Sequence, residues 1–84
     1  MFLRPVADCF DFDFNLSTTE TTLADVTGVV SAAQCQCHCQ ETDGCFYFVW
    51  HPPEMGPYGY ICTLKSTNEG RTAEAPMVSG PKYC

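Results

Sequence analysis

Residues 31–50, SAAQCQCHCQETDGCFYFVW, decide the fold because they hold four of the chain's seven cysteines and join two elements of secondary structure. Ser31 and Gln34 form a capping-box pattern, which predicts that a helix begins here. The helix is expected to run to about Thr42 and to stop at Gly44. Residues 45–50 are apolar on both faces, so they are predicted to form a central strand that the helix covers on one side.

The composition limits the class of protein. A chain of 84 residues with seven cysteines is typical of a disulfide-stapled module from an oxidising compartment, so a secreted, extracellular protein is expected. No apolar run is long enough to span a membrane, and no membrane insertion is expected. Ten acidic residues against four basic ones give a net charge of −6, which disfavours nucleic acid, heparin-like polymers and anionic lipid as partners. A neutral glycan or a partner protein with basic or apolar patches remains open.

The N-terminal part predicts one strand and one loop. Residues 1–8 are expected to be a linker remnant. Residues 9–14 alternate between apolar and acidic side chains, which predicts a half-buried strand with three phenylalanines on one face and two aspartates on the solvated face. Residues 15–28 are rich in threonine and predict a loop, with a short strand around Leu23–Val26.

The C-terminal part predicts two further strands between loops. Residues 51–59 contain three prolines and two glycines and predict an irregular loop. Residues 60–65 alternate again, and the even-numbered side chains are predicted to face inward. Residues 66–76 predict a polar loop that carries Arg71, followed by a short strand that begins at Met77.

The cysteines in the helix can be sorted by helical geometry. Cys35 and Cys39 are four positions apart and share one face, whereas Cys37 points away from that face. Two bridges can therefore run inward, and the turn that ends in Gly44 allows a tight bridge from Cys39 to Cys45. The arrangement that geometry favours pairs Cys39 with Cys45, Cys35 with Cys62 and Cys9 with Cys84.

The cysteine spacing resembles that of the PAN/Apple domain family over nearly the whole module. The motifs that carry the resemblance are Cys35–Cys39–Cys45–Phe46, Cys62-Thr63-Leu64-Lys65 and Val78-Ser79-Gly80-Pro81-Lys82-Tyr83-Cys84. The resemblance implies an α+β, small disulfide-rich PAN/apple fold over residues 9–84, in which a curved antiparallel sheet cradles one helix. It also implies the same three disulfides, Cys9–Cys84, Cys35–Cys62 and Cys39–Cys45, and leaves Cys37 outside the framework.

The sequence CQCHC at residues 35–39 raises two further hypotheses, a metal site and a nucleophilic thiol. Structural zinc takes pairs of ligands from turns, whereas these side chains diverge around a helix, so no metal is predicted. His38 points about 100° away from Cys37, too far to activate its thiol. Cys37 is therefore predicted to be either a free surface thiol or an exchange partner for the neighbouring disulfides.

No catalytic arrangement is recognisable in the sequence. Asp11 and Asp13 lie on a solvated strand face, and no Ser-His-Asp spacing, phosphate loop or cofactor motif appears. We expect neither an enzyme nor a cofactor.

Candidate binding residues are aromatic, imidazole and cationic side chains near the proline-rich loop, although packing or solubility explains each one taken singly. They are His51, Tyr58, Tyr60, Lys65 and Arg71. The triplet Asn15-Leu16-Ser17 is a possible glycosylation site.

The resemblance is strongest to the apple domains of apicomplexan microneme proteins. It implies a non-catalytic adhesion or assembly module, secreted through the microneme, that binds a partner protein or a host-cell glycan beside neighbouring apple domains. A galactose-type lectin module and a purely structural spacer in an array are the alternatives.

Overall fold

The computed structural model describes residues 9–83, which form a five-stranded antiparallel sheet with one α-helix packed on a face. The elements are β1 (Asp11–Leu16), β2 (Thr22–Thr27), α1 (Ala32–Gln40), β3 (Tyr47–His51), β4 (Ile61–Lys65) and β5 (Arg71–Pro81). The strand order is β1-β5-β3-β4-β2, so the strand after the helix is central, as predicted. The fold is the small α+β, disulfide-rich architecture that the sequence predicts.

The helix begins as its capping pattern predicts. The Ser31 side chain accepts a hydrogen bond from the Gln34 amide at 3.1 Å. The Gln34 side chain reaches back, but it accepts from the amide of Val30 at 2.9 Å, one residue before the cap. Gly44 has a φ of +85°, the left-handed conformation expected for the stop, although the helix itself already ends at Gln40.

The side of the sheet that faces α1 holds the main core. Phe48 is fully buried there, and full burial of a phenylalanine side chain is worth roughly 1.5–3 kcal/mol. Its neighbours are the four cysteines of two disulfides together with two aliphatic side chains. The buried residues are Val29, Cys35, Cys39, Cys45, Phe48, Cys62 and Leu64. The Trp50 indole packs against this core, and its Nε1 donates a hydrogen bond to the Val29 carbonyl at 2.8 Å.

The opposite side of the sheet has a smaller core. Val49 follows Phe48 in β3 and therefore points the other way, where it packs with Leu16 and Met77. Tyr47 and Met55 cover this second cluster. The predicted burial of β3 on both faces is thus confirmed.

The predicted alternation of β1 is wrong in the middle of the strand. Asp13 has a φ of +67°, and the pairing with β5 shifts between Phe12 and Phe14. Such a bulge interrupts the alternation, so the three phenylalanines do not share one buried face, and Phe12, just before the bulge, is 56% exposed. Phe10 does reach the main core, where its ring meets that of Phe48 edge-on at 5.3 Å between centroids.

The C-terminal loop prediction is also wrong. β5 begins at Arg71 and runs for 11 residues, so most of the predicted polar loop is strand paired with β1. In β4 the inward assignment holds for Cys62 and Leu64, but Tyr60 has a φ of +61° and is 44% exposed. The proline-rich loop contains 3-10 turns over Pro53–Tyr58.

Candidate functional site

Polar side chains from three neighbouring strands meet on the sheet face away from α1. Cys62 and Leu64 point towards the helix, so Thr63 and Lys65 point the other way. Asp25 of β2 lies directly opposite Thr63 in the register. On the other side of β4, His51 of β3 joins the same group through the Thr63 hydroxyl.

These side chains form one wall of a cleft of about 370 Å³, which we call the polar cleft. The other walls come from the end of β1 and the segment before β2. Its lining residues are Asn15, Leu16, Ser17, Thr19, Thr22, Asp25, His51, Thr63 and Lys65. Leu16 is the one apolar side chain among these described residues, which include no Phe, Tyr or Trp.

A hydrogen-bonded chain runs across the floor of the polar cleft. The Thr63 hydroxyl donates to Asp25 Oδ1 at 2.7 Å, so its oxygen is left to accept from His51 Nε2 at 3.2 Å. This assignment puts the imidazole hydrogen on Nε2 and makes Nδ1 an acceptor. Nδ1 is buried and has no hydrogen-bond partner within residues 9–83.

The charge state of His51 follows from its surroundings. Burial is the largest influence on its pKa and lowers it below the usual value of 6.5. The carboxylates of Asp25 and Glu74 raise the pKa by less than burial lowers it, and the Lys65 ammonium, the smallest influence, lowers it. His51 is therefore neutral at neutral pH, which agrees with an imidazole that has its one hydrogen on Nε2.

Lys65 has both a structural and a cleft-facing role. Its ammonium donates to the Thr18 carbonyl at 2.9 Å and to Thr22 Oγ1 at 2.8 Å, which fastens the segment before β2 to β4. Burial lowers the pKa of Lys65, while the Asp25 carboxylate raises it. An ammonium has three N–H donors, so one remains for a ligand in the polar cleft.

The structure brings only some of the predicted binding residues together. His51 and Lys65 share the polar cleft, whereas Tyr58 is 66% exposed in the 3-10 segment and Tyr60 also lies outside the lining. Arg71 lies in β5, where its Nε donates to Asp11 Oδ2 at 3.0 Å and its guanidinium stacks on the Phe14 ring at 3.8 Å.

Sequence reasoning missed Asp25, Thr63 and Thr22. Each lies in a strand where polar and apolar side chains alternate, and the polar positions of such strands share a face. The signal was present, but it becomes a site only when β2 and β4 are known to pair in this register.

Asn15 lies at the rim of the polar cleft. Its Oδ1 accepts from the Leu16 amide at 2.7 Å, and its Nδ2 donates to Glu74 Oε1 at 2.9 Å. Whether it carries a glycan stays a prediction.

The cysteines of the described chain are divided between buried disulfides and one surface thiol. Cys35 bonds to Cys62 and Cys39 to Cys45, the two pairs that the resemblance implies within this part of the chain. Cys9 is disulfide-bonded as well, and its expected partner, Cys84, lies outside the described residues. Cys37 is a free, exposed thiol on α1. Over residues 9–83, no three His, Cys, Asp or Glu side chains converge as a metal site.

The fold and the polar cleft together define a small disulfide-rich module of the kind that presents a binding surface on a stapled sheet. A family model for the PAN domain matches residues 9–83, and the chain belongs to the PAN domain family. No curated protein matches the chain. PAN domains are generally non-catalytic modules that bind protein or carbohydrate, and together with the disulfides this indicates an extracellular domain. None of the helices in the described chain has the length and apolar character needed to cross a membrane.

Proposed function

We propose that the chain is a non-catalytic adhesion module that binds a neutral carbohydrate in the polar cleft. The observation that carries this proposal is the set of unused hydrogen-bonding groups on one floor. The Asp25 carboxylate offers an acceptor and the Lys65 ammonium a donor, and both residues line the polar cleft. Sugar hydroxyls both donate and accept, so neighbouring hydroxyls on a pyranose can satisfy groups of both kinds.

The charges around the polar cleft favour a neutral sugar over an acidic one. Asp25 and Glu74 both act on His51 electrostatically, and Lys65 is the one cation that does so. A sialylated or sulfated glycan would therefore approach two carboxylates for one ammonium and be repelled.

The affinity of a single module is expected to be low. The described lining offers no Phe, Tyr or Trp ring on which a sugar can stack, so binding depends mainly on hydrogen bonds that compete with water. A dissociation constant near the millimolar range, or about −4 kcal/mol, is consistent with that. Adhesion would then require several modules acting together, in agreement with a tandem array of apple domains in a secreted microneme protein. Each module would correspond to residues 9–84.

An NMR titration tests the proposal. Neutral galactose-type sugars should shift the amides of Asp25, Thr63 and Lys65, and they should leave the amides around Tyr58 unchanged. A sialylated sugar should shift none of them. No movement of the cleft amides at high millimolar neutral sugar would rule out a lectin role for this module.

A conservative variant locates the binding to the polar cleft. Thr63→Val keeps the shape of the side chain but removes the hydroxyl that links Asp25 to His51, so sugar affinity should fall by roughly tenfold. Thr27→Val is the matched control, because Thr27 is an exposed residue of β2 that does not line the cleft. Equal loss in both variants would contradict the assignment.

A second function, assembly with a partner protein, is favoured by a different surface. Phe46 and Tyr83 are 56% and 64% exposed, and the Lys82 ammonium lies 5.6 Å and 5.9 Å from the centroids of their rings. Aromatic side chains are enriched in protein interfaces, so the two exposed rings are the residues that favour a partner protein. Loss of a co-purifying secreted protein on Phe46→Ser, with the sugar titration unchanged, would support this function. If neither ligand nor partner is found and inter-domain contacts are seen, the spacer role stands.

A further inference from the structure

The possible glycosylation triplet at residues 15–17 forms part of the lining of the polar cleft. Asn15, Leu16 and Ser17 all line the cleft, although the sequence marks them only as an isolated triplet. Asn15 is at the rim, and its side-chain amide faces the same carboxylate, that of Glu74, which acts electrostatically on His51. A group attached to Asn15 Nδ2 therefore starts at a side chain that lines the cleft.

Strand order gives the triplet time to be modified before it is enclosed. β1 is an edge strand whose sole partner is β5, and β5 is the last strand to be synthesised. Pro81, its final residue, lies 64 positions after Ser17. At about 5–20 residues per second, the triplet stays unpaired for roughly 3–13 s during synthesis.

Folding ends the period in which the triplet is unpaired. The Ser17 amide and hydroxyl both donate to the Gly70 carbonyl, at 2.9 Å and 3.0 Å. An enzyme that reads the hydroxyl of the triplet needs it free, so modification must precede the docking of β5 on β1.

The folded state also tolerates the modified side chain. Asn15 Nδ2 has two N–H groups, and one suffices for the bond to Glu74. Attachment of a sugar replaces one hydrogen and leaves the other, while Oδ1 keeps its bond from the Leu16 amide.

We propose that Asn15 carries an N-linked glycan that covers the polar cleft and controls access to it. In the modifying step, Asn15 Nδ2 attacks the anomeric carbon of a lipid-linked diphosphate oligosaccharide. The bond between nitrogen and C1 forms, the bond between C1 and the diphosphate oxygen breaks, and the amide proton is lost as the lipid diphosphate departs. The glycan is a saccharide, the ligand class that the proposed function assigns to the cleft. The part of this proposal in which the glycan controls ligand access rests on the proposed function. The attachment of the glycan at Asn15 does not depend on that function.

The first experiment measures occupancy on the protein secreted from glycosylating cells. Enzymatic release of N-glycans in ¹⁸O-water should convert Asn15 to labelled Asp in the peptide that contains residues 15–17. Ser17→Ala should abolish the label, and Ser17→Thr, which keeps the triplet, should retain it. An unlabelled Asn15 in the secreted wild-type protein would overturn the proposal.

The second experiment measures access to the cleft without a ligand. The neutral nitroxide TEMPOL relaxes exposed methyl groups in NMR, and the methyls of Thr22 and Thr63 report on the cleft. Those of Ala32 and Ala33 on α1 serve as internal controls. The relaxation of the threonine methyls should be lost in the glycosylated protein relative to the unmodified protein, and that of the alanine methyls should not change.

The outcomes separate the two proposals. Equal relaxation of the threonine methyls in both forms would overturn the covering of the cleft even if Asn15 is fully glycosylated. Failure of unmodified protein to bind sugar would reject the lectin function, while protection of the threonine methyls in the glycosylated form would still support the covering.

Discussion

The Thr63 hydroxyl lies between the Asp25 carboxylate and the His51 imidazole and joins the two through single hydrogen bonds of 2.7 Å and 3.2 Å. It holds side chains of β2, β3 and β4 in one arrangement. Because the hydroxyl has one hydrogen and gives it to Asp25, the imidazole must supply the other. The neutral form of His51 with its hydrogen on Nε2 is thereby selected.

The burial of His51 predicts a pH-dependent stability. The pKa of His51 is lowered in the folded state, chiefly by burial, so the unfolded chain binds the proton more readily. The free energy of unfolding should be unaffected by His51 above pH 6.5. It should decrease as the pH falls from 6.5 to the lower pKa of the folded state. Urea denaturation of wild-type protein at a series of pH values measures the decrease.

The carboxylates of the chain also titrate at low pH, so a variant must isolate the imidazole. His51→Gln should lose the component of the slope that lies just below pH 6.5, and His38→Gln should keep it. An NMR midpoint for His51 at or above 6.5 would contradict the burial of its ring.

The two central disulfides should differ in their contributions to stability. Cys35–Cys62 spans 27 positions and Cys39–Cys45 spans 6. On the chain-entropy estimate, removing the longer loop costs about 3.6 kcal/mol and the shorter about 2.3 kcal/mol. All four cysteines are fully buried, so paired alanine variants leave comparable cavities. Urea denaturation of the two double variants gives the comparison.

The exposed thiol supplies the matched control for those variants. Cys37→Ala should change the free energy of unfolding by less than about 0.5 kcal/mol, as is usual for surface substitutions. A larger loss would indicate that Cys37 exchanges with a neighbouring disulfide. A double variant lacking Cys39–Cys45 that is the less stable of the two would refute the loop-length argument.

Alanine substitutions at two glycines distinguish the cost of backbone strain from the cost of a steric clash. Gly28 and Gly70 have φ values of +74° and +80°, so alanine is strained at either position by about 1–2 kcal/mol. At Gly28 an added Cβ meets nothing within 4 Å, whereas at Gly70 it would lie 2.5 Å from the Thr18 amide nitrogen. Gly70→Ala should therefore be clearly less stable than Gly28→Ala in thermal or urea denaturation. Equal losses would show that the Thr18 backbone moves aside without cost.

Arg71 should behave as a structural residue. Its guanidinium stacks on Phe14 and pairs with Asp11, but both charges are about half exposed, so the ion pair contributes little. A double-mutant cycle with Arg71→Met and Phe14→Leu should give a coupling energy of about 0.5–1 kcal/mol. The coupling should persist in 1 M salt, which screens the Asp11 pair. A loss of sugar binding in Arg71→Met would contradict a purely structural role and support the original prediction that Arg71 contacts the ligand.

The features that could be predicted from sequence are those with local causes. The helix start depends on Ser31 and Gln34, three positions apart, and the stop depends on a glycine that can adopt positive φ. The burial of Phe48 and Val49 follows from a strand that is apolar on both faces. These contacts need no knowledge of distant strands.

The features that were missed depend on pairing between distant parts of the chain. Asp13 reverses the alternation of β1 because β5 carries extra residues between the partners of Phe12 and Phe14. Arg71 is in a strand because β1 offers an edge to pair with, although its surroundings in sequence are polar. The polar cleft is also non-local, since Asp25 and Thr63 become neighbours only in the folded register. Of the five predicted binding residues, His51 and Lys65 lie in the cleft, and both were identified from residue type; the triplet at Asn15 was identified as a possible glycosylation site and not as part of a cleft.

The antiparallel pairing of β1 with β5 sets the mechanical behaviour of the module. Asp11 lies opposite Ser79, so the chain enters and leaves at the same end of the sheet. In a longer polypeptide under tension, load is applied across this end. Cys9 is disulfide-bonded, and with its expected partner Cys84 the bond joins the two ends of the module, so it carries the load while β1 stays paired with β5. A tether built from such modules therefore keeps its length and its cleft under force, and it lengthens only after this disulfide is reduced.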